Sequence, residues 1–130
     1  MLTPHPLEAA RLLVCTTADV QSDRLAAAKA LSVLLGATVL LKGSGTVIAA
    51  PTGVPWINSS GNAALATAGS GDVLAGWVAG LWAQQPLALA GAIAAAAAWQ
   101  HGHAADRFAD RLPGRPLRAA NLIEAMARDA

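Results

Sequence analysis

The chain is poor in the residues that usually announce a compartment or a partner. One cysteine, Cys15, stands among 130 residues, which excludes an internal disulfide. The opening "MLTPHPLEAARLL" carries neither a basic stretch nor a cleavage-like site, so a cytoplasmic location is expected. Cys15 ends an apolar helical pattern with no histidine near it in sequence, and a buried, inert thiol is expected rather than a nucleophile. Charge is scarce: 13% of residues are charged, the formal net charge is +1, and lysine and arginine are scattered. That leaves no electrostatic footprint for nucleic acid, and no such partner is expected. Long apolar runs are missing as well. Residues 73–83 and 87–99 are separated by Gln84-Gln85-Pro86 and are rich in alanine, so neither reaches the length that spans a bilayer, and no membrane partner is expected.

What is present is a strongly apolar chain of single-domain length, 55% hydrophobic, whose helices must be buried more than laid on a surface. Pro6 followed by Leu7, Ala10, Leu13 and Val14 reads as a helix with proline in its first turn, entered through the rigid "TPHP". Ser22 or Asp23 caps a second helix, with Leu25, Ala28, Leu31, Leu34 and Leu35 on it and Gly36 as its left-handed stop. Two helices are therefore expected before the first strand. "ATVLLK" and "TVIAA" flank Gly43-Ser44-Gly45 and read as a hairpin, and residues 58–71 as a loop long enough to carry a role. Three helices are expected after it, over about 72–84, 87–108 and 119–128, with "RLPGRP" as the last linker. Trp77, Trp82 and Trp99 fall at helical positions and are expected in the core.

Within "GNAALATAGSGDVLAGWVAG" a glycine-rich loop runs straight into an apolar helix with one acid, Asp72, at the junction. The first N–H groups of a helix lack intrahelical partners and carry partial positive charge. Gly69, Ser70 and Gly71 can shape them into a concavity for phosphate oxygens. A carboxylate at its rim can take a proton from a hydroxyl that is about to attack a phosphoryl group. The alternative is that Asp72 merely satisfies backbone donors at a helix start. His101 and His103, two apart on a predicted helix, point to different sides, and no metal-ligand set is read. Asn62 can bond the glycine loop or a substrate, or hold the turn.

"NSSGNAALATAGSGDVLAG" resembles the signature of the ribokinase-like superfamily, and within it the ADP-dependent NAD(P)H-hydrate dehydratase family, the C-terminal domain of YjeF-type proteins. "LTPHPLEAARLL" and "VLLKGSGTVIAAP" are similar to two further segments of that family in the same order, and "HGHAAD" resembles a late helical motif. The resemblance implies a three-layer α/β/α fold, strands between helices, of which residues 1–130 are the C-terminal part. It implies dehydration of hydrated NADH or NADPH with ADP or ATP and Mg²⁺. By site, it implies Asp72 as the catalytic carboxylate against the substrate, His5 and Asn62 as substrate contacts, and Gly69, Ser70 and Gly71 as an anion hole. Lys42, Gly43, Ser44, Gly45, Thr46 and Gly71 would lie along the adenine nucleotide. Leu7 stands where that family usually has glycine, which would crowd a dinucleotide. Elements that pack against a missing first half would expose apolar surface, so self-association into a homo-oligomer is expected. Two alternatives stand beside the dehydratase: an inactive, oligomerising part of such a domain, and a ribokinase-like small-molecule kinase, against which "TPHP" speaks.

Overall fold

Three short strands lie between two sets of helices in the computed structural model, which describes residues 1–128. The elements run α1 (Pro6–Leu13), α2 (Thr17–Ser22), α3 (Arg24–Leu35), β1 (Val39–Leu41), β2 (Val47–Ala49), β3 (Trp56–Ile57), a 3₁₀ turn (Ala63–Leu65), α4 (Ser70–Gln84), α5 (Ala90–Arg111) and α6 (Ala119–Arg128). The sheet is antiparallel in the order β1-β2-β3, with Val39 opposite Ala49, Leu40 opposite Ile48 and Leu41 opposite Val47. The pleat sends alternate side chains to opposite faces. Val39, Leu41, Val47 and Ala49 pack on Ala28, Leu31 and the α1 alanines, while Leu40 and Ile48 pack on Leu74, Val78, Ala94 and Ala97 of α4 and α5. Both faces are covered, as the three-layer expectation requires, and each fully buried leucine or isoleucine contributes about 1.5–3 kcal/mol. A third cluster, with Leu117, Leu122 and Met126, fixes α6 against α5.

Local signals explain most boundaries. His5 caps α1 reciprocally with Glu8: His5 Nδ1 accepts the Glu8 N–H at 3.2 Å and Glu8 Oε2 accepts the His5 N–H at 2.8 Å. Asp23 accepts the Ala26 N–H at 2.9 Å to start α3, and Gly36 ends it in the left-handed region.

Three expectations need correction. Three helices, not two, precede the first strand, because Thr16 and Asp19 form a capping box that starts α2. Cys15 is exposed, because α1 stops at Val14 and the chain turns outward there. Trp82 and Trp99 are exposed as well, Trp99 stacking on His103 at 4.7 Å between ring centres, while Trp77 is partly buried. Strand β3 adds to the expected two-stranded hairpin, and α4 begins two residues before the expected 72, at Ser70. No helix among the described residues is long and apolar enough to cross a membrane.

Candidate functional site

The start of α4 is open to a ligand. Gly69 caps it at φ 83, with no side-chain cap, a conformation that favours glycine. Ser70 donates its N–H to Thr67 O at a long 3.3 Å, and Val73 makes the first helical bond, to Gly69 O at 3.0 Å. Among the described residues, the N–H groups of Gly71 and Asp72 meet no acceptor. The Ser70 hydroxyl turns away and donates to Leu65 O at 2.7 Å.

A cavity of about 580 Å³ lies against Ser70 and Gly71 at this helix start. The turn between β1 and β2 supplies one wall (Lys42, Gly43, Ser44, Gly45, Thr46), residues 57–63 and 65–66 another, and Ser70, Gly71, Leu74, Ala98, His101 and Gly102 the rest. Gly43 sits at φ 148 and Gly45 at φ 64, so the turn carries its exposed backbone without side chains at its two tightest points. Thr46 Oγ1 closes the turn on Gly43 O at 3.2 Å. Arg24 braces it from behind, its guanidinium donating to Leu41 O and Ser44 O. Burial pulls the Arg24 pKa below its ordinary value.

Lys42 ties the three glycine- and proline-marked segments together. Its Nζ stands 4.0 Å from Glu8 Oε2, and a side-chain carbon on Gly71 would lie 3.0 Å from the same nitrogen. Glu8 in turn holds His5, through the capping bonds and through His5 Nε2 at 3.4 Å from Oε1. The bond from the His5 backbone is the main reason that the Glu8 carboxyl titrates below its ordinary range, with the His5 and Lys42 charges assisting. His5 and Leu7 line neither this cavity nor its neighbour; Leu7 is exposed on α1.

Asp72 faces elsewhere. It lines a second, apolar cavity of about 490 Å³ with Val73, Gly76, Trp77, Gly80, Leu81, Gln84 and Ile123. Consecutive residues on a helix point about 100° apart, so Gly71 and Asp72 open on adjoining spaces. The Asp72 carboxylate is exposed and makes no hydrogen bond or ion pair among the described residues. The Asn62 side chain is engaged at both ends, donating to Asp106 Oδ1 at 2.9 Å and accepting the Ala64 N–H at 3.0 Å. Glu8 and Asp106 carry no site role in the sequence reading, and His101 enters it only as no part of a metal pair, although a glutamate three residues past a helix cap is a legible signal for the first.

The model of the NAD(P)H-hydrate dehydratase family matches residues 1–128. The chain belongs to that family. Among relatives, an ADP-dependent (S)-NAD(P)H-hydrate dehydratase of Neisseria meningitidis is 55% identical over 107 residues, 82% of this chain and 35% of that protein. A bifunctional NAD(P)H-hydrate repair enzyme of Escherichia coli is 43% identical, covering 98% of this chain and 24% of that one. The solved ADP/ATP-dependent NAD(P)H-hydrate dehydratase of Bacillus subtilis, co-crystallised with ATP and Mg²⁺, superposes with a TM-score of 0.90 at 33% identity, over 98% of this chain and 46% of that one. A ribokinase-like superfamily protein of Enterococcus faecalis gives a TM-score of 0.80 at 30% identity, covering 98% of this chain and 43% of that one. The fold is ribokinase-like, and the chain spans less than half the length of each of these family relatives.

Proposed function

We propose that residues 1–130 form the C-terminal part of a hydrate dehydratase domain, contributing its adenine-nucleotide cradle and its catalytic carboxylate. The observation that carries this reading is the unpartnered Gly71 amide at the start of α4, next to the equally unpartnered Asp72 amide, with Gly71 beside the Lys42 ammonium on a cavity walled by a glycine turn. Such a place suits phosphate: the amides and the helix dipole supply oriented positive charge, and the lysine adds a full one. Lys42, Gly43, Ser44, Gly45 and Thr46 would run along the nucleotide, with Gly69, Ser70 and Gly71 as the anion hole. No group of three metal-ligating side chains occurs among the described residues. The donor set therefore fits an Mg²⁺ carried mainly by phosphates and water, the ion's usual preference, which would neutralise charge on the phosphoryl group.

The unpartnered Asp72 carboxylate would act as base. It takes the proton of the ring hydroxyl as that oxygen bonds to the terminal phosphorus of ADP and the bond to AMP breaks. Phosphate then leaves with the C–O electron pair, the ring nitrogen donates electrons, and loss of the neighbouring C–H proton restores the dihydropyridine. His5, held by Glu8 beside Lys42, and Asn62, on the loop wall, are the proposed substrate contacts.

The test is recovery of NADH absorbance from hydrated NADH with ADP and Mg²⁺, in the wild-type chain and in Asp72→Asn. A drop of about 10²–10⁴ with an unchanged circular dichroism spectrum is expected for loss of a base. Undiminished turnover in Asp72→Asn would remove that residue from the chemistry, and accumulation of a stable phosphorylated product would mark a kinase instead.

A further inference from the structure

The loop that walls the nucleotide cavity has little secondary structure of its own, yet it is held closely along one helix. Where its glycine-rich part begins, Asp106 of α5 uses both carboxylate oxygens: Oδ2 accepts the Gly61 N–H at 2.8 Å and Oδ1 accepts the Asn62 amide at 2.9 Å. Gly61 is at φ 100, a turn that needs holding. Just ahead of that point, Ser60 Oγ donates to Trp99 O at 2.9 Å and Asn58 Nδ2 to Ala98 O at 3.3 Å. Gly102 has no side chain, and a carbon there would fall 2.2 Å from Ser60 Oγ and 2.6 Å from the Ser60 carbonyl carbon. At the exit, His101 Nε2 lies 2.9 Å from Ser70 O, at the first residue of α4. A carbonyl only accepts, so Nε2 carries the proton. His101 is buried and itself lines the cavity.

We infer that His101 and Asp106 are positioning residues, two clamps one and a half turns apart on α5 that fix both ends of the glycine-rich loop and so aim the Gly71 and Asp72 amides. The inference rests on the nucleotide reading above and adds to it two residues placed outside the proposed nucleotide contacts. A packed helix is the stiffest available template, and a hydrogen bond to each end of a loop removes the backbone freedom that binding would otherwise have to pay for.

The experiment combines amide hydrogen exchange with calorimetric titration of ADP and Mg²⁺ on the wild-type chain, His101→Leu, His101→Gln and Asp106→Asn. Leucine removes the donor, whereas glutamine restores one near the Nε2 position. In His101→Leu, exchange at the hydrogen-bonded amides of Ser70 and Val73 should rise about tenfold while β1 and β2 stay protected, and ADP should bind about tenfold more weakly, the effect of one lost hydrogen bond. His101→Gln should recover most of both. Asp106→Asn keeps one acceptor, so exchange at residues 61–64 should rise and ADP binding weaken by a smaller factor, about threefold; it decides the question alone if His101→Leu does not fold. Exchange that rises uniformly, or that rises locally with ADP affinity unchanged, overturns the inference. A wild-type chain that gives no heat with ADP sinks the nucleotide reading, and the exchange pattern then judges the clamps on their own.

Discussion

Val14 closes α1 at φ 55 and ψ 46, the only non-glycine residue at positive φ among the described residues, with 92% of its surface exposed. A β-branched side chain in the left-handed region is strained by roughly 1–2 kcal/mol, and so little of Val14 is buried that its removal forfeits almost no packing. Asparagine tolerates that conformation. Val14→Asn should raise stability by about 0.5–1 kcal/mol, read as a higher urea midpoint with an unchanged slope. His101 makes an opposite kind of argument. Burial lowers its pKa below the ordinary 6.5, with the Ser70 carbonyl pulling partly the other way. The unfolded chain therefore binds this proton at a higher pH than the folded one. Stability linked to His101 is complete above about pH 6.5 and is lost as pH falls through that value toward the folded pKa. Urea midpoints at about pH 7.5 and 5.5 should fall further for wild type than for His101→Gln; equal falls would show that this imidazole is not what acid attacks.

At the scale of elements, two helical glycines with the same propensity cost should respond in opposite directions. Gly80 of α4 has nothing within 4 Å of the place a side-chain carbon would take. Gly80→Ala should therefore gain about 0.5–1 kcal/mol, a few degrees in Tm for a chain of this size. Gly102 of α5 is pressed against the Ser60 backbone, and the same substitution should cost about 1–3 kcal/mol, because overpacking outweighs helix propensity. Thermal melts of the two variants side by side check both signs. These positions also show what the sequence could and could not disclose. Asp23 and Gly36 bracket α3 by local chemistry, and the glycine turn between two β-branched runs declared the hairpin; such elements were legible because their causes lie within a few residues. Strand β3 is only two residues, Trp56 and Ile57, and exists because β2 offers an edge, which no local pattern reveals. The glycine-rich segments of the candidate site were readable as backbone that can approach an anion. The role of α5 was not, because His101 meets Ser70 from 31 residues away and Asp106 meets Gly61 from 45.

For the molecule as a whole, the quantity that decides behaviour in solution is uncovered apolar surface. The accessible surface is 7156 Å² for 13.1 kDa, whereas a compact monomer of that mass would expose about 6,400 Å². Among the described residues, large hydrophobics are exposed at Val33, Leu34, Val54, Trp56, Ile57, Leu87, Leu89 and Trp99. The two on β3 lie on a strand paired on one side only, a place where sheets recruit further chain. A net charge of +1 provides almost no repulsion to oppose contact. Self-association is therefore the expected state at micromolar concentration, driven by apolar burial. Raising salt should leave it intact or strengthen it, since there is little charge to screen and excluded ions favour burial. Sedimentation velocity across a concentration series, at low and high salt, measures this directly. Replacing Trp56 and Ile57 together by threonine, which keeps β propensity, should shift the distribution toward monomer if β3 is the face that pairs. A single compact monomer at every concentration would mean that the exposed residues are too dispersed to form a continuous interface.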